Sequence, residues 1–187
     1  FMKSSNCLKT SELYASGPVR AALGPHLRPG GEVLTARMLE LAAPGPGSSV
    51  LDAGCGCGAT LGLLAGRGAR ALGLDLDRGL LHEAVNGRAA VAQADLAFLP
   101  LADAGLDMVL CECAWNLTDK VRVLAEFRRV LRPGGVLALS DIFARGQRAG
   151  DWPVRCCFAQ ATDLETVAEQ VRAAGFEVGL VEDHTAL

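Results

Sequence analysis

The sequence predicts a doubly wound α/β domain with a mostly parallel sheet and an N-terminal helical cap. Three observations predict it: from residue 49 onward short apolar runs alternate with helical patterns, a glycine triplet follows the first of those runs, and the runs are near-continuous in hydrophobicity. Continuous apolar strands joined by helices imply a parallel sheet covered on both faces, because right-handed crossovers place helices on each side.

The elements follow in order. Residues 11–23 and 32–43 are expected to be helices, separated by the breaker-rich stretch Gly24-Pro25-His26-Leu27-Arg28-Pro29-Gly30-Gly31. After Pro44-Gly45-Pro46-Gly47 the pattern changes, which sets a boundary between a cap segment, 1–47, and a core, 48–187, of one domain. Residues 49–53 form a strand running into Gly54-Cys55-Gly56-Cys57-Gly58, and 59–67 a helix, as in the first βα unit of a nucleotide-binding fold. Strands are expected at 70–74, 89–94, 107–113 and 135–140, with helices at 77–86 and 119–131. In the second of these helices Val121, Leu124, Phe127 and Leu131 recur at helical spacing, and Pro133-Gly134-Gly135 stops it. A helix at 163–174 ends at Gly175, before a last strand at 176–181.

Composition narrows the function. The chain has 187 residues, 50% of them hydrophobic and 21% charged, enough for one globular core. A formal charge of −3 provides no basic field for phosphate backbones, so nucleic acid is not expected as a partner. No apolar run approaches the roughly 20 residues of a spanning helix. The polar start, residues 1–9, lacks an apolar h-region, so a cytoplasmic protein is expected. Seven cysteines is an odd number, and the zinc-type C-x-x-C spacing is missing, so free thiols and no metal site are predicted.

The glycines at 54, 56 and 58 allow a tight turn and close approach of a ligand, and the following helix start offers free N–H groups. The same loop, read as G-x-G-x-x-A, also fits the dinucleotide fingerprint. Asp75 lies 21 residues after Gly54, where a carboxylate can accept ribose hydroxyls. Asp52 inside the first strand and Asp95 after the third add two more acids. Carboxylates suit a ligand bearing positive and donor groups, whereas a pyrophosphate calls for cations.

Taken as an ordered set, Val50 to Gly58, Gly73-Leu74-Asp75-Leu76-Asp77, Asp95-Leu96 with Leu99-Pro100, and Leu131-Arg132-Pro133-Gly134-Gly135 resemble the motifs of class I S-adenosylmethionine-dependent methyltransferases, a Rossmann-like fold. The resemblance implies that Gly54, Gly56 and Gly58 hold the methionine part of S-adenosylmethionine and that Asp52 serves its amino group. It implies that Asp75 holds the ribose hydroxyls, Leu76 covers the adenine, Asp95 and Leu96 read the adenine, and the Cys111 backbone lines the cofactor. Direct in-line transfer then needs chiefly alignment and exclusion of water.

The stretch from Asp107 to Lys120, continuing to Ser140-Asp141, is similar to arsenite methyltransferases and their quinone-methylating relatives. That similarity implies an acceptor cradle at Cys113 and Cys157, since trivalent arsenic is thiophilic. Trp115 is either a lid over the acceptor or core packing. Glu112 and Asp141 are the candidate proton acceptors for an alcohol or amine. The acceptor class is therefore a small molecule or a metalloid, the alternatives being an NAD-type oxidoreductase or a non-catalytic cofactor-binding module. After Val181-Glu182-Asp183 only His184 to Leu187 remain, too few for the antiparallel seventh strand of the family, so the chain is expected to be clipped, to lack it, or to have its open sheet edge completed by an oligomeric partner.

Overall fold

A computed structural model describes residues 13–14, 16–85, 90–146 and 156–185. Five strands, β1 (Ser49–Ala53), β2 (Arg70–Asp75), β3 (Ala90–Gln93), β4 (Leu106–Glu112) and β5 (Leu131–Ser140), form one sheet in the order β3-β2-β1-β4-β5. Every pairing is parallel. The order reverses between β1 and β4, which opens a crevice at the carboxyl ends of the strands.

The helices are α1 (Gly17–Leu23), α2 (Gly31–Ala42), α3 (Ala59–Gly66), α4 (Arg78–Val85), α5 (Lys120–Val130), α6 (Cys157–Gln160) and α7 (Leu164–Ala173). Both sheet faces are covered: one core gathers Leu51, Leu74, Val109, Trp115 and α5, and the other Leu39, Val50, Leu64 and Leu110. Asp119 begins α5 by accepting the Arg122 N–H at 3.2 Å, and Asp163 begins α7 by accepting from Thr166 at 2.9 Å. No helix among the described residues is long and apolar enough to cross a membrane.

Three expectations need correction. The buried stripe of α5 is Val123, Leu124, Phe127 and Val130, while Val121 is 67% exposed: the helix is turned so that adjacent residues 123 and 124 both face the sheet. The first expected helix, 11–23, is broken at Ser16 by its extended ψ of 144°, and α1 starts only at Gly17. Residues 176–181 carry no strand ladder. Phe176 packs on the core, but Leu180 and Val181 are exposed, and the segment beyond is fastened by side chains, Arg37 to Glu182 at 2.7 Å and Arg145 to Asp183. Alternation of apolar residues makes a strand only where a neighbour offers a ladder. The short α6 had no periodicity to announce it.

Candidate active site

A pocket of about 530 Å³ occupies the crevice. Its floor and walls come from the loop after β1, residues 75–78 from the end of β2, residues 94–96 after β3 and residues 112–114 from the end of β4. Tyr14, His26, Leu27 and Arg28 cover it from the N-terminal segment.

The glycine loop is shaped by two constraints. Gly54 has φ +81°, and a Cβ there would stand 2.4 Å from the Ala114 Cβ on the turn after β4. No side chain fits at that approach. The Gly54 and Cys55 N–H groups both donate to the Leu74 carbonyl, at 2.7 and 3.0 Å, and the Gly56 N–H donates to Asp75 Oδ2 at 2.8 Å. The loop is thus pinned to the end of β2. Gly54 and Gly56 border the pocket; Gly58 does not, and instead begins α3 with φ +82°.

The three acids sit in different environments. Asp75 lines the pocket, its Oδ1 accepting the Asp77 N–H at 2.8 Å while Oδ2 takes Gly56; burial pushes its pKa up. Leu76, 67% exposed, stands beside it over the pocket. Asp95 and Leu96 border the far end, and Asp95 orders its own turn by accepting the Ala97 N–H at 2.9 Å. Asp52 is only 3% exposed and lies in β1 rather than on the pocket surface; its Oδ2 has no hydrogen-bond partner. Burial first, and the Glu112 charge second, push its carboxyl up to about 7, against the opposing pull of Arg28.

Glu112 is committed elsewhere than to proton transfer. Its Oε2 meets Arg28 Nε at 3.0 Å and accepts the Thr35 hydroxyl at 2.8 Å, while Oε1 accepts the Thr60 hydroxyl at 3.0 Å. Arg28 also donates to the Thr60 hydroxyl at 3.0 Å, to the Thr35 hydroxyl, and to the His26 carbonyl at 3.0 Å. This network joins β4, α2, α3 and residues 24–28, and Arg28, Glu112, Thr35 and Thr60 are all buried. Asp141 does not border the pocket. It accepts two N–H groups of Asn116 and that of Ile142, all at 2.8 Å, and burial pushes it up to about 6.

Cys113 borders the pocket in a left-handed backbone conformation, φ +52°, fixed by its N–H donating to the Ser140 carbonyl at 2.8 Å. Cys157, from α6, accepts the Tyr14 hydroxyl at 3.1 Å, and its charge would act on the Cys113 thiol. Burial pushes both thiols up. Of the two readings of Trp115 the structure has core packing, and the expectation for Cys111 is corrected. Trp115 is fully buried in the core, its indole N–H donating to the Lys120 carbonyl at 3.1 Å, so it cannot be a lid. Cys111 is likewise fully buried, and the pocket wall begins only at Glu112. Cys7 lies outside the described residues. Among them, no three His, Cys, Asp or Glu side chains are grouped to hold a metal ion.

Sequence reasoning missed Arg28 and Arg78 as pocket residues and passed over His26, whose buried Nδ1 has no hydrogen-bond partner. None carries a motif. Arg28 meets Glu112 across 84 residues of chain, and a breaker-rich turn had suggested a linker instead.

Comparison with known proteins shows what the chain is similar to. A family model described as a methyltransferase domain matches residues 51–139. The chain is 34% identical over 143 residues to methyltransferase GfsG of Streptomyces halstedii, covering 71% of this chain and 51% of GfsG. It is 32% identical over 155 residues to an arsenite methyltransferase of Halobacterium salinarum, covering 73% and 39%. The chain thus spans about half the length, or less, of these curated relatives. In fold it matches a chain from the complex of the Haloferax volcanii Trm112 methyltransferase activator with its methyltransferase, with a TM-score of 0.76, 22% identity, and coverage of 95% and 80%.

Proposed function

We propose that this chain is a class I S-adenosylmethionine-dependent methyltransferase, a reading supported by its match to a methyltransferase domain over residues 51–139 and its similarity to methyltransferase GfsG, and that its pocket binds S-adenosylmethionine and passes the methyl group directly to a small-molecule or metalloid acceptor in the cytoplasm. The observation that carries the reading is the convergence of the glycine loop, Asp75 and Asp95 on one pocket at the sheet's switch point.

The residues present fit the cofactor. Gly56 lines the pocket with φ +52° and only Leu27, 4.0 Å away, near the place a Cβ would take, so its backbone is open to a ligand, and the buried Asp52 Oδ2 has no hydrogen-bond partner in the protein. Gly54 and Gly56, with Gly58 setting the start of α3, would hold the methionine part, and Asp52 would supply charge to its amino group. Asp75 would receive the ribose hydroxyls, with Leu76 over the adenine and Asp95 and Leu96 at its edge. When bound, S-adenosylmethionine supplies a methyl carbon made electrophilic by the adjacent sulfonium. From the cap segment proposed at 1–47, the described residues Tyr14, His26 and Leu27 line the pocket on the core proposed at 48–187 and exclude water from it.

The acceptor end lies toward Cys113. With Glu112 held by Arg28, Thr35 and Thr60, and Asp141 held by Asn116, this chain aligns the acceptor and leaves it to arrive as a nucleophile. A thiol-cradled metalloid is the second reading, favoured by the convergence of Cys113, Cys157 and Tyr14. Calorimetry with S-adenosylmethionine and with a nicotinamide dinucleotide tests the cofactor; heat with the dinucleotide alone refutes the proposal. A radiolabelled methyl-transfer screen with arsenite, quinols, thiols and small amines tests the acceptor. If arsenite is methylated equally by the wild type, Cys113→Ser and Cys157→Ser, the thiol cradle is wrong.

A further inference from the structure

We propose that Arg28 is a positioning residue for cofactor binding: reaching in from the N-terminal segment, it supplies the cation that offsets the buried carboxylates of Glu112 and Asp52, and so readies Asp52 for a ligand's ammonium group. The inference rests on the cofactor reading above and names how the N-terminal segment takes part in it.

Three observations carry it. Arg28 is 8% exposed and Glu112 7%, so their 3.0 Å ion pair is desolvated, and buried charges of this kind persist only when paired and hydrogen-bonded. The Thr35 and Thr60 hydroxyls bridge guanidinium and carboxylate, fixing Arg28 against α2 and against the first turn of α3, directly after the glycine loop. Asp52, 3% exposed, has an oxygen with no partner and pairs in the sheet with Leu110, two residues before Glu112 on the same face of β4, so the charges of both members of the pair act on it.

The groups facing Asp52 are Glu112 and Cys111 from β4, Asp75 from β2, Cys55 from the loop and Arg28 from the N-terminal segment. Burial pushes both thiols up, so they stay neutral, and Asp75 is already occupied by two backbone N–H groups. Arg28 is therefore the cation set against the local negative charge. An ammonium group in the pocket is favoured by the charge of ionised Asp52, which lies in β1 behind the pocket wall, so affinity falls as the pH drops through the Asp52 midpoint of about 7. Without Arg28, Glu112 repels Asp52 unopposed and the midpoint rises. Without the Glu112 charge but with Arg28 present, it falls.

Two probes separate this from a scaffold role: S-adenosylhomocysteine, which carries the amino-acid ammonium, and 5′-methylthioadenosine, which does not. Calorimetry is run on wild type, Arg28→Met, Arg28→Lys, Glu112→Gln and the Arg28→Met/Glu112→Gln double variant, across pH values either side of the wild-type midpoint. Arg28→Met is expected to raise the midpoint by roughly one unit, which weakens S-adenosylhomocysteine about fivefold at pH 7 and about tenfold at pH values well below the wild-type midpoint, and to leave methylthioadenosine within about twofold. Arg28→Lys should keep the wild-type midpoint, Glu112→Gln should lower it, and the double variant should recover most of the affinity lost by Arg28→Met. Equal loss of both probes at an unchanged midpoint would make Arg28 a scaffold residue and overturn the proposal. Should Arg28→Met fail to fold, the other two single variants decide: a Lys variant with a shifted midpoint, or a Gln variant without a lowered one, also overturns it. A wild type that binds neither probe removes the cofactor reading itself, and the proposal with it.

Discussion

Replacing Gly54 by alanine isolates the closest backbone approach in the pocket. The new Cβ would lie 2.4 Å from the Ala114 Cβ, an atom at the base of its side chain that moves only with its backbone. Overpacking of this kind costs about 1–3 kcal/mol. The left-handed φ of +81° adds about 1–2 kcal/mol for any residue with a Cβ. Together the variant should lose about 2–5 kcal/mol, which for a chain of this size lowers Tm by roughly 5–15 °C. Thermal unfolding followed by circular dichroism measures it, and the partition is tested by adding Ala114→Gly. The second change removes the colliding atom and leaves the φ penalty, so the double variant should recover about 1–3 kcal/mol relative to additivity. A coupling near zero, or a Gly54→Ala variant as stable as wild type, would refute the reasoning that the two turns meet at this point.

Asp52→Asn should separate stability from binding. Because burial raises the folded carboxyl to about 7, above its unfolded value, the ionised form destabilises the fold progressively as pH rises toward and through 7. The Asn variant should therefore melt higher than wild type above pH 7, converge with it in acid, and bind S-adenosylhomocysteine more weakly; an unchanged difference across pH denies the shift. Phe127→Ala, emptying a fully buried site beneath α5, should cost about 3–5 kcal/mol by urea unfolding, with an unchanged m-value. Asp119→Ala should cost about 1 kcal/mol through loss of the α5 cap, whereas Arg20→Ala, which breaks an exposed pair with Glu83, should leave Tm unmoved at moderate salt.

The core fold was legible because its signals are local. A five-residue apolar strand followed by three alternating glycines reports a βα turn without knowledge of any distant residue, and Asp75 and Asp95 fall at strand ends that periodicity alone locates. What escaped was long-range. Thr35 and Thr60 have no sequence signal for a bridging role; only the fold brings them onto Glu112, 77 and 52 residues away. Trp115 resembled a pocket aromatic because it follows β4, yet the short 3-10 turn at Trp115–Leu117 points its ring into the core. Glu112 was judged by its proximity to the pocket, correctly, but its availability depended on Arg28. The residues at 176–181 show the converse error: a local strand pattern with no ladder to join.

The contorted main chain at position 113 has a wider meaning. Asparagine or glycine would sit in that turn with less strain, yet a cysteine occupies it, on the wall of the pocket that Tyr14 also lines while donating to Cys157. A protein that tolerates such discomfort at the brink of its cavity gains nothing in robustness from doing so. Relaxing the turn with Cys113→Gly would therefore show what the sulfur contributes, if the altered chain grows sturdier while its chemistry fades.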